Sequence, residues 1–267
     1  MRVAVGMSGG VDSGVAALLL KQAGHDVVGV TMRLWKGDGR YVGGTRDACF
    51  GPGEADDIAS AESIADRLGI VHRVVDCADA YEREIVSYFR EASRAGLTPN
   101  PCVICNARIK FGLLPEMAAA SGLQFDRFAT GHYARVAARG ERMALLRAVD
   151  GRKDQSYFLY RLSQEQLARQ MFPLGGLSKL EVRDLAAKAG LAARHSEPLA
   201  LADREVPEPV VSGDAAPVGR HDVARAVRKA NELVPVPGIE VLRIGPLRGG
   251  EPGLRGDCAD FQLAQPS

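Results

Sequence analysis

A short apolar run, Val3 to Met7, leads directly into Ser8-Gly9-Gly10-Val11-Asp12-Ser13, and helical spacing begins just beyond it. Few local sequences restrict a fold so strongly. The glycines let the backbone turn tightly and approach an anion. The hydroxyls of Ser8 and Ser13 are small donors. A helix starting near Asp12 aims its unpaired amides and positive dipole end at the same point. This is a design for holding phosphate at the end of a first strand. It lacks both the Gly-Lys-Ser/Thr loop and the GxGxxG dinucleotide fingerprint. A strand that ends in an anion site predicts an α/β protein with its ligand at the carboxyl edge of a parallel sheet.

The rest of the first 190 or so residues supports that class. Val11, Val15 and Leu18 recur at helical spacing up to Gly24, and Val27 to Leu34 reads as a second strand. Ile58, Ala61, Ala65 and Leu68 mark a helix face closed by Gly69, before a third strand at Val71 to Val75. Helices fit 80–95 and 107–120, and a strand fits 127–130. Such alternation predicts a parallel sheet sandwiched by helices. Ser163-Gln164-Glu165-Gln166 and Ser178-Lys179-Leu180-Glu181 fit capping boxes and predict two helices of a small helical subdomain. Beyond Ala193 lie nine of the fourteen prolines and the glycine-rich stretch 245–256, so a loop-rich C-terminal tail is expected, with a helix near Val223 to Leu233 and a strand near Ile239 to Ile244. The expected organisation is an α/β domain carrying the phosphate-binding loop over 1–160, a helical subdomain over 161–193 and a reduced C-terminal region over 194–267.

A net charge of +1 does not mark the whole chain as a nucleic-acid binder, but residues 127–161 carry more Lys and Arg than Asp and Glu. A basic face there can meet phosphates, although a solvated surface reads equally well from charge alone. No apolar run has the length of a membrane helix, and the N-terminus shows no signal-peptide pattern. A cytoplasmic protein without a membrane partner is therefore expected. The five cysteines (Cys49, Cys77, Cys102, Cys105 and Cys258) are odd in number and irregular in spacing, which argues against a disulfide framework.

The close pair sits in Thr98-Pro99-Asn100-Pro101-Cys102-Val103-Ile104-Cys105-Asn106. Two prolines predict a rigid extended loop, with a helix from about Asn106. A cysteine at a helix N-terminus has a stabilised thiolate, and Arg108 and Lys110 add positive field. Such a pair can also grip a metal or an iron–sulfur cluster. Structural zinc wants four ligands and no second close pair exists. Two buried, inert cysteines fit the local sequence as well.

Ser8 to Ser13 resembles the PP-loop of the ATP pyrophosphatases, with their adenine nucleotide alpha hydrolase-like fold. Three further runs resemble the tRNA-specific 2-thiouridylase (MnmA) family: Gly96 to Gly112, Ala129-Thr130-Gly131-His132-Tyr133-Ala134-Arg135, and Lys153-Asp154-Gln155-Ser156-Tyr157-Phe158-Leu159. The matches occur in the family's order across about residues 1–190. The resemblance implies that Gly6, Met7, Ser8, Gly9, Gly10, Val11, Asp12 and Ser13 bind ATP together with Met32 and Gly131. It implies Mg²⁺, with Asp12 handling the metal-bound phosphates, and tRNA contacts at His132, Lys153, Asp154 and Gln155. Cys105 takes the family's catalytic position, and Cys102 stands where some members have Asp and others Cys. The implied reaction adenylates the 2-oxygen of tRNA wobble uridine 34, and sulfur then replaces that oxygen to give 2-thiouridine, AMP and pyrophosphate. tRNA and a sulfur-donor protein are the implied partners.

Two departures qualify this. The family's usual second cysteine is absent: the corresponding stretch reads His195-Ser196-Glu197-Pro198-Leu199-Ala200-Leu201, and no cysteine lies between Cys105 and Cys258. The family's two C-terminal β domains also exceed the length present. Three accounts stay open. Cys102 and Cys105 hold a [4Fe–4S] cluster with Cys258 or Cys49 as third ligand, or a partner delivers sulfur directly onto Cys105, or the chain is a non-catalytic ATP- and RNA-binding paralogue. A PP-loop sulfur transferase with another substrate is a further alternative. Cys77 reads as a buried apolar residue.

Overall fold

The computed structural model describes residues 1–37 and 50–191. The chain divides into units Met1–Pro235 and Val236–Ser267, and everything described belongs to the first. Cys49, Cys258 and the helix and strand expected in the tail lie outside the described residues.

Strands β1 (Arg2–Gly6), β2 (Asp26–Arg33), β3 (Val71–Asp76), β4 (Arg127–Thr130) and β7 (Gln170–Met171) form one sheet in the order β3-β2-β1-β4-β7. Every pairing in it is parallel. Side chains alternate across a pleated strand, and the core obeys that period. Val3, Val5, Val27 and Ala129 enter one apolar layer, while Ala4, Val28, Val30 and Phe128 enter the other. The first layer is covered by α1 (Val11–Gln22), α2 (Glu54–Leu68) and α8 (Lys179–Lys188). Helix α1 is buried from Ser13 to Leu20, as expected of a helix covered on several sides.

The opposite layer is covered by two helical runs that each contain a wide π turn. The first comprises α3 (Ala78–Tyr81), π1 (Glu82–Val86) and α4 (Ser87–Arg94). The second comprises α5 (Pro101–Cys105), π2 (Asn106–Leu113) and α6 (Leu114–Ala120). This second run corrects the expected start near Asn106. Asn100 is the N-cap, its Oδ1 accepting from Val103 N at 3.4 Å, and Pro101 is the first helical residue. Asn before Pro was a cap signature rather than extended loop.

Both capping boxes are present. Ser163 Oγ accepts from Gln166 N while Gln166 Oε1 accepts from Ser163 N, opening α7 (Gln164–Arg169), and Ser178 and Glu181 do the same for α8. The hairpin β5 (Ala134–Arg139) and β6 (Arg142–Arg147) was not anticipated. Its turn is marked by Gly140, whose φ of +58° lies in the left-handed region. Helix α8 packs in the same apolar layer as α1 through Val182, Leu185 and Ala186. No helix among the described residues is long and apolar enough to cross a membrane.

Candidate active site

The loop between β1 and α1 is fixed from both sides. Gly9 adopts φ +74°, and Ser60 Oγ on α2 donates to Gly9 O at 2.9 Å. A Cβ on Gly9 would run into the carbonyl oxygen of Asp57, so only glycine lets the loop lie on α2. The hydroxyl of Ser13 is used within the loop. It donates to Gly10 O at 3.0 Å and accepts from Ser8 N at 3.2 Å. Of the two expected phosphate donors, Ser8 is the exposed one and Ser13 is buried. The first-turn amides of α1 have no helical carbonyls to receive them, which leaves them for an anion.

Gly131 explains itself by proximity. A Cβ there would come within 2.8 Å of Asp12 C and Ser13 N, so the end of β4 lies against the start of α1. Met7 is buried, and Met32, near the end of β2, is half-buried against the second apolar layer. The end of β2 is clamped by Glu54 at the start of α2. Its carboxylate accepts from Leu34 N at 2.6 Å and Trp35 N at 3.0 Å, and burial raises its pKa above the usual range.

Asp12 is engaged by two residues to which the sequence reading gave no role. Tyr133 donates its hydroxyl to Asp12 Oδ1 at 3.0 Å. Lys179 Nζ lies 2.6 and 2.7 Å from the two carboxylate oxygens. Burial and the adjacent Asp12 charge push the Tyr133 pKa up, so the phenol keeps its proton and stays a donor. A lysine in the first turn of α8 opposes the helix dipole, and that was the available sequence signal.

His132 is partly buried between Phe111 and Phe172, with ring centroids 5.5 and 6.2 Å away. Its Nδ1 is 2.7 Å from Thr130 Oγ1. Burial, with Lys110 nearby, holds its pKa well below the usual imidazole range. The three residues after Arg152 behave differently from one another. Lys153 is exposed. Asp154 receives Ala148 N, Ser156 N, Ser156 Oγ and Arg147 Nε, and although burial pushes its pKa up, those bonds bring it below the usual range. Gln155 Oε1 accepts from Tyr133 N at 3.0 Å.

Cys102 and Cys105 both lie on α5 and neither is in a disulfide. At spacing i, i+3 they share a helix side, yet Cys102 is exposed and Cys105 is buried in the apolar layer. Cys77 is buried, its pKa pushed up to about 11 chiefly by that burial, as fits an inert core thiol. Directly after Cys105, Asn106 Nδ2 donates to Phe158 O at 3.3 Å. The wide turn of π2 is braced by Gln166, whose Nε2 donates to Ala107 O at 2.8 Å and Phe111 O at 3.2 Å.

The four sequence matches are thus physically joined: Asp12 to Tyr133, Tyr133 to Gln155, His132 to Phe111, and Asn106 to Phe158. Comparison with known proteins agrees. The model of the tRNA methyl transferase HUP domain matches residues 1–198. Curated relatives named tRNA-specific 2-thiouridylase MnmA include one from Treponema denticola, 50% identical over 73% of this chain and 51% of its own length. Another, from Endomicrobium trichonymphae, is 45% identical over 72% of this chain and 54% of its own. The chain belongs to the HUP-domain family, and within it to the MnmA group. This MnmA-family chain spans about half the length of the curated relatives it matches. A solved structure described as a predicted subunit of tRNA methyltransferase from Methanocaldococcus jannaschii covers 70% of this chain and 75% of its own, at 19% identity and TM-score 0.40. That likeness is loose, and the fold assignment rests on the parallel strand order and the family match.

Two metal expectations can be tested on the residues present. Asp12 beside a phosphate loop suits Mg²⁺, which takes one or two carboxylates plus substrate phosphates. For a [4Fe–4S] cluster the described residues hold Cys102 and Cys105, and the third-ligand candidates Cys49 and Cys258 lie outside them. Among the described residues no group of three or more His, Cys, Asp or Glu side chains could hold a metal ion. One thiol of the pair is exposed while the other is buried.

Proposed function

We propose that this chain is an ATP-dependent sulfur transferase that converts the wobble uridine of tRNA to 2-thiouridine. The observation that carries the reading is the joining of phosphate loop, Gly131–Tyr133, Lys153–Gln155 and cysteine helix by the four contacts above. ATP lies with its phosphates on Ser8 to Ser13 and its adenosine toward Met32 and Gly131, and Mg²⁺ bound near Asp12 supplies charge neutralisation at the phosphates. The 2-oxygen of uridine attacks the α-phosphorus, the bond to the β-phosphate breaks, and pyrophosphate leaves as the N3 proton passes to solvent. Adenylation turns a poor leaving oxygen into a good one.

Sulfur is handled by the Cys102–Cys105 pair and arrives as a persulfide from a donor protein, for which Cys102 is the accessible thiol. The terminal persulfide sulfur attacks C2, and AMP departs with the original oxygen. The thiolate of the other cysteine then attacks the cysteine-bound sulfur. The C2 thiocarbonyl is released, N3 regains a proton, and a Cys102–Cys105 disulfide remains for a dithiol to reduce. Lys153 and the exposed arginines of 127–161 meet tRNA phosphates, while Asp154, Gln155 and His132 shape the surface behind them.

Pyrophosphate exchange into ATP tests the first half. The reading expects exchange that requires tRNA containing an unmodified wobble uridine. Exchange independent of tRNA would point to another substrate, and its complete absence would favour a non-catalytic relative.

A further inference from the structure

The loop Ser8 to Ser13 contains no lysine or arginine. Its amides and the α1 dipole supply only partial charges, while the tail of ATP and the departing pyrophosphate carry several full negative charges. Cleavage at the α-phosphorus needs cationic stabilisation of that leaving group. Lys179 is within reach of the loop, since its Nζ already touches Asp12 in the loop's own helix turn.

Lys179 stands where a cation needs an anionic partner, and without nucleotide that partner is Asp12. The lysine opens α8 at the positive dipole end, which disfavours a cation. Its backbone is held there firmly. Ser178 and Glu181 close the capping box, and Asp150 Oδ2 accepts from Lys179 N at 3.0 Å. The side chain is not so confined. Its four-carbon stem carries a point charge that can be re-aimed, and about a quarter of it is exposed, at 23%. Asp12 keeps the Tyr133 hydroxyl if the lysine leaves.

We propose that Lys179 is the pyrophosphate-binding cation of this site and that it exchanges partners. Without nucleotide it neutralises Asp12. When ATP enters, Nζ moves onto the β- and γ-phosphate oxygens and frees the Asp12 carboxylate for Mg²⁺. This deepens the proposed function and rests on ATP binding at the loop.

Calorimetric titration of the full chain with Mg-ATP, AMP and pyrophosphate tests it, using wild type, Lys179→Gln and Asp12→Asn. Wild type must bind Mg-ATP; if it does not, the ATP reading fails and the lysine exchange fails with it. Given wild-type binding, Lys179→Gln should weaken ATP and pyrophosphate by about 10- to 100-fold while AMP affinity stays within about threefold. Asp12→Asn removes the lysine's competitor, so pyrophosphate titrated without Mg²⁺ should bind more tightly than to wild type. A lysine that merely ties α8 to α1 predicts otherwise. It would weaken AMP and ATP alike in Lys179→Gln, or leave pyrophosphate unchanged, and Asp12→Asn would not gain Mg-free affinity. Any of those results overturns the exchange while leaving ATP use intact. If Lys179→Gln does not fold, the Asp12→Asn comparison decides the matter alone.

Discussion

Tyr133 and Gln155 exchange two hydrogen bonds: Tyr133 N donates to Gln155 Oε1 at 3.0 Å, and Gln155 N donates to Tyr133 O at 2.8 Å. This pair fixes the residue that hydrogen-bonds Asp12. Gln155 thereby acts on the phosphate loop through Tyr133, 22 residues away in sequence. Gln155→Leu leaves the Tyr133 amide without its acceptor and should cost about 1–3 kcal/mol of stability. Gln155→Glu keeps an acceptor and should lose less. Chemical denaturation of both variants measures the difference, and equal stabilities would contradict the coupling.

Gly131 is required for proximity, because its Cβ position lies 2.8 Å from backbone atoms of Asp12 and Ser13. Backbone cannot yield as a flexible side chain can. Gly131→Ala should destabilise the protein by about 1–3 kcal/mol, as overpacked sites do, and displace the first turn of α1. ATP affinity should fall more than thermal stability alone accounts for. A variant that binds ATP like wild type would show that the two segments separate freely.

His132 predicts a pH dependence. Its pKa in the folded protein is depressed mainly by burial, so below about 6.5 the unfolded chain binds the proton that the folded chain refuses. Stability should therefore fall as pH drops from about 7 toward 5, by at most about 1.4 kcal/mol per pH unit for this group. His25 and His72 are depressed in the same direction and add to the slope. His132→Gln should give a shallower slope over that window in urea unfolding. An unchanged slope would mean that His132 takes up its proton in the folded state.

The thiols should separate by accessibility. Cys102 is exposed, whereas Cys105 and Cys77 are buried. Alkylation under native conditions, followed by peptide mass spectrometry, should modify Cys102 well before Cys105 and Cys77. Cys105→Ala should still bind ATP and lose thiolation. Full thiolation by that variant would remove Cys105 from the sulfur step.

Much of the fold was legible because it depends on short-range physics. Gly69 closes α2 in the left-handed conformation, Ser163 and Ser178 build their capping boxes, and Val3 and Val5 alternate with Ala4 across the sheet. The start of α5 was misread because Asn100-Pro101 serves both extended loops and helix caps, and only the packing of Val103 and Ile104 decides. The hairpin β5–β6 hid behind its alanines, which carry little strand signal. In the site, segments could be recognised but not their mutual bonds. Lys179 lies 167 residues from Asp12, and Asn106 lies 52 from Phe158. No local pattern reports such distances. The resemblance implies a tRNA contact at Asp154, and what no local pattern shows is that its carboxylate accepts from Ala148 N, Ser156 Oγ and Arg147 Nε.

The central claim is ATP-driven exchange of oxygen for sulfur on tRNA, and nucleoside mass spectrometry of the reacted tRNA tests it most directly. Purified full chain, ATP, Mg²⁺, unmodified tRNA and a persulfide donor should yield 2-thiouridine at the wobble position, with one AMP formed for each sulfur inserted. Unmodified uridine under every sulfur supply, with no AMP formed, would contradict the account.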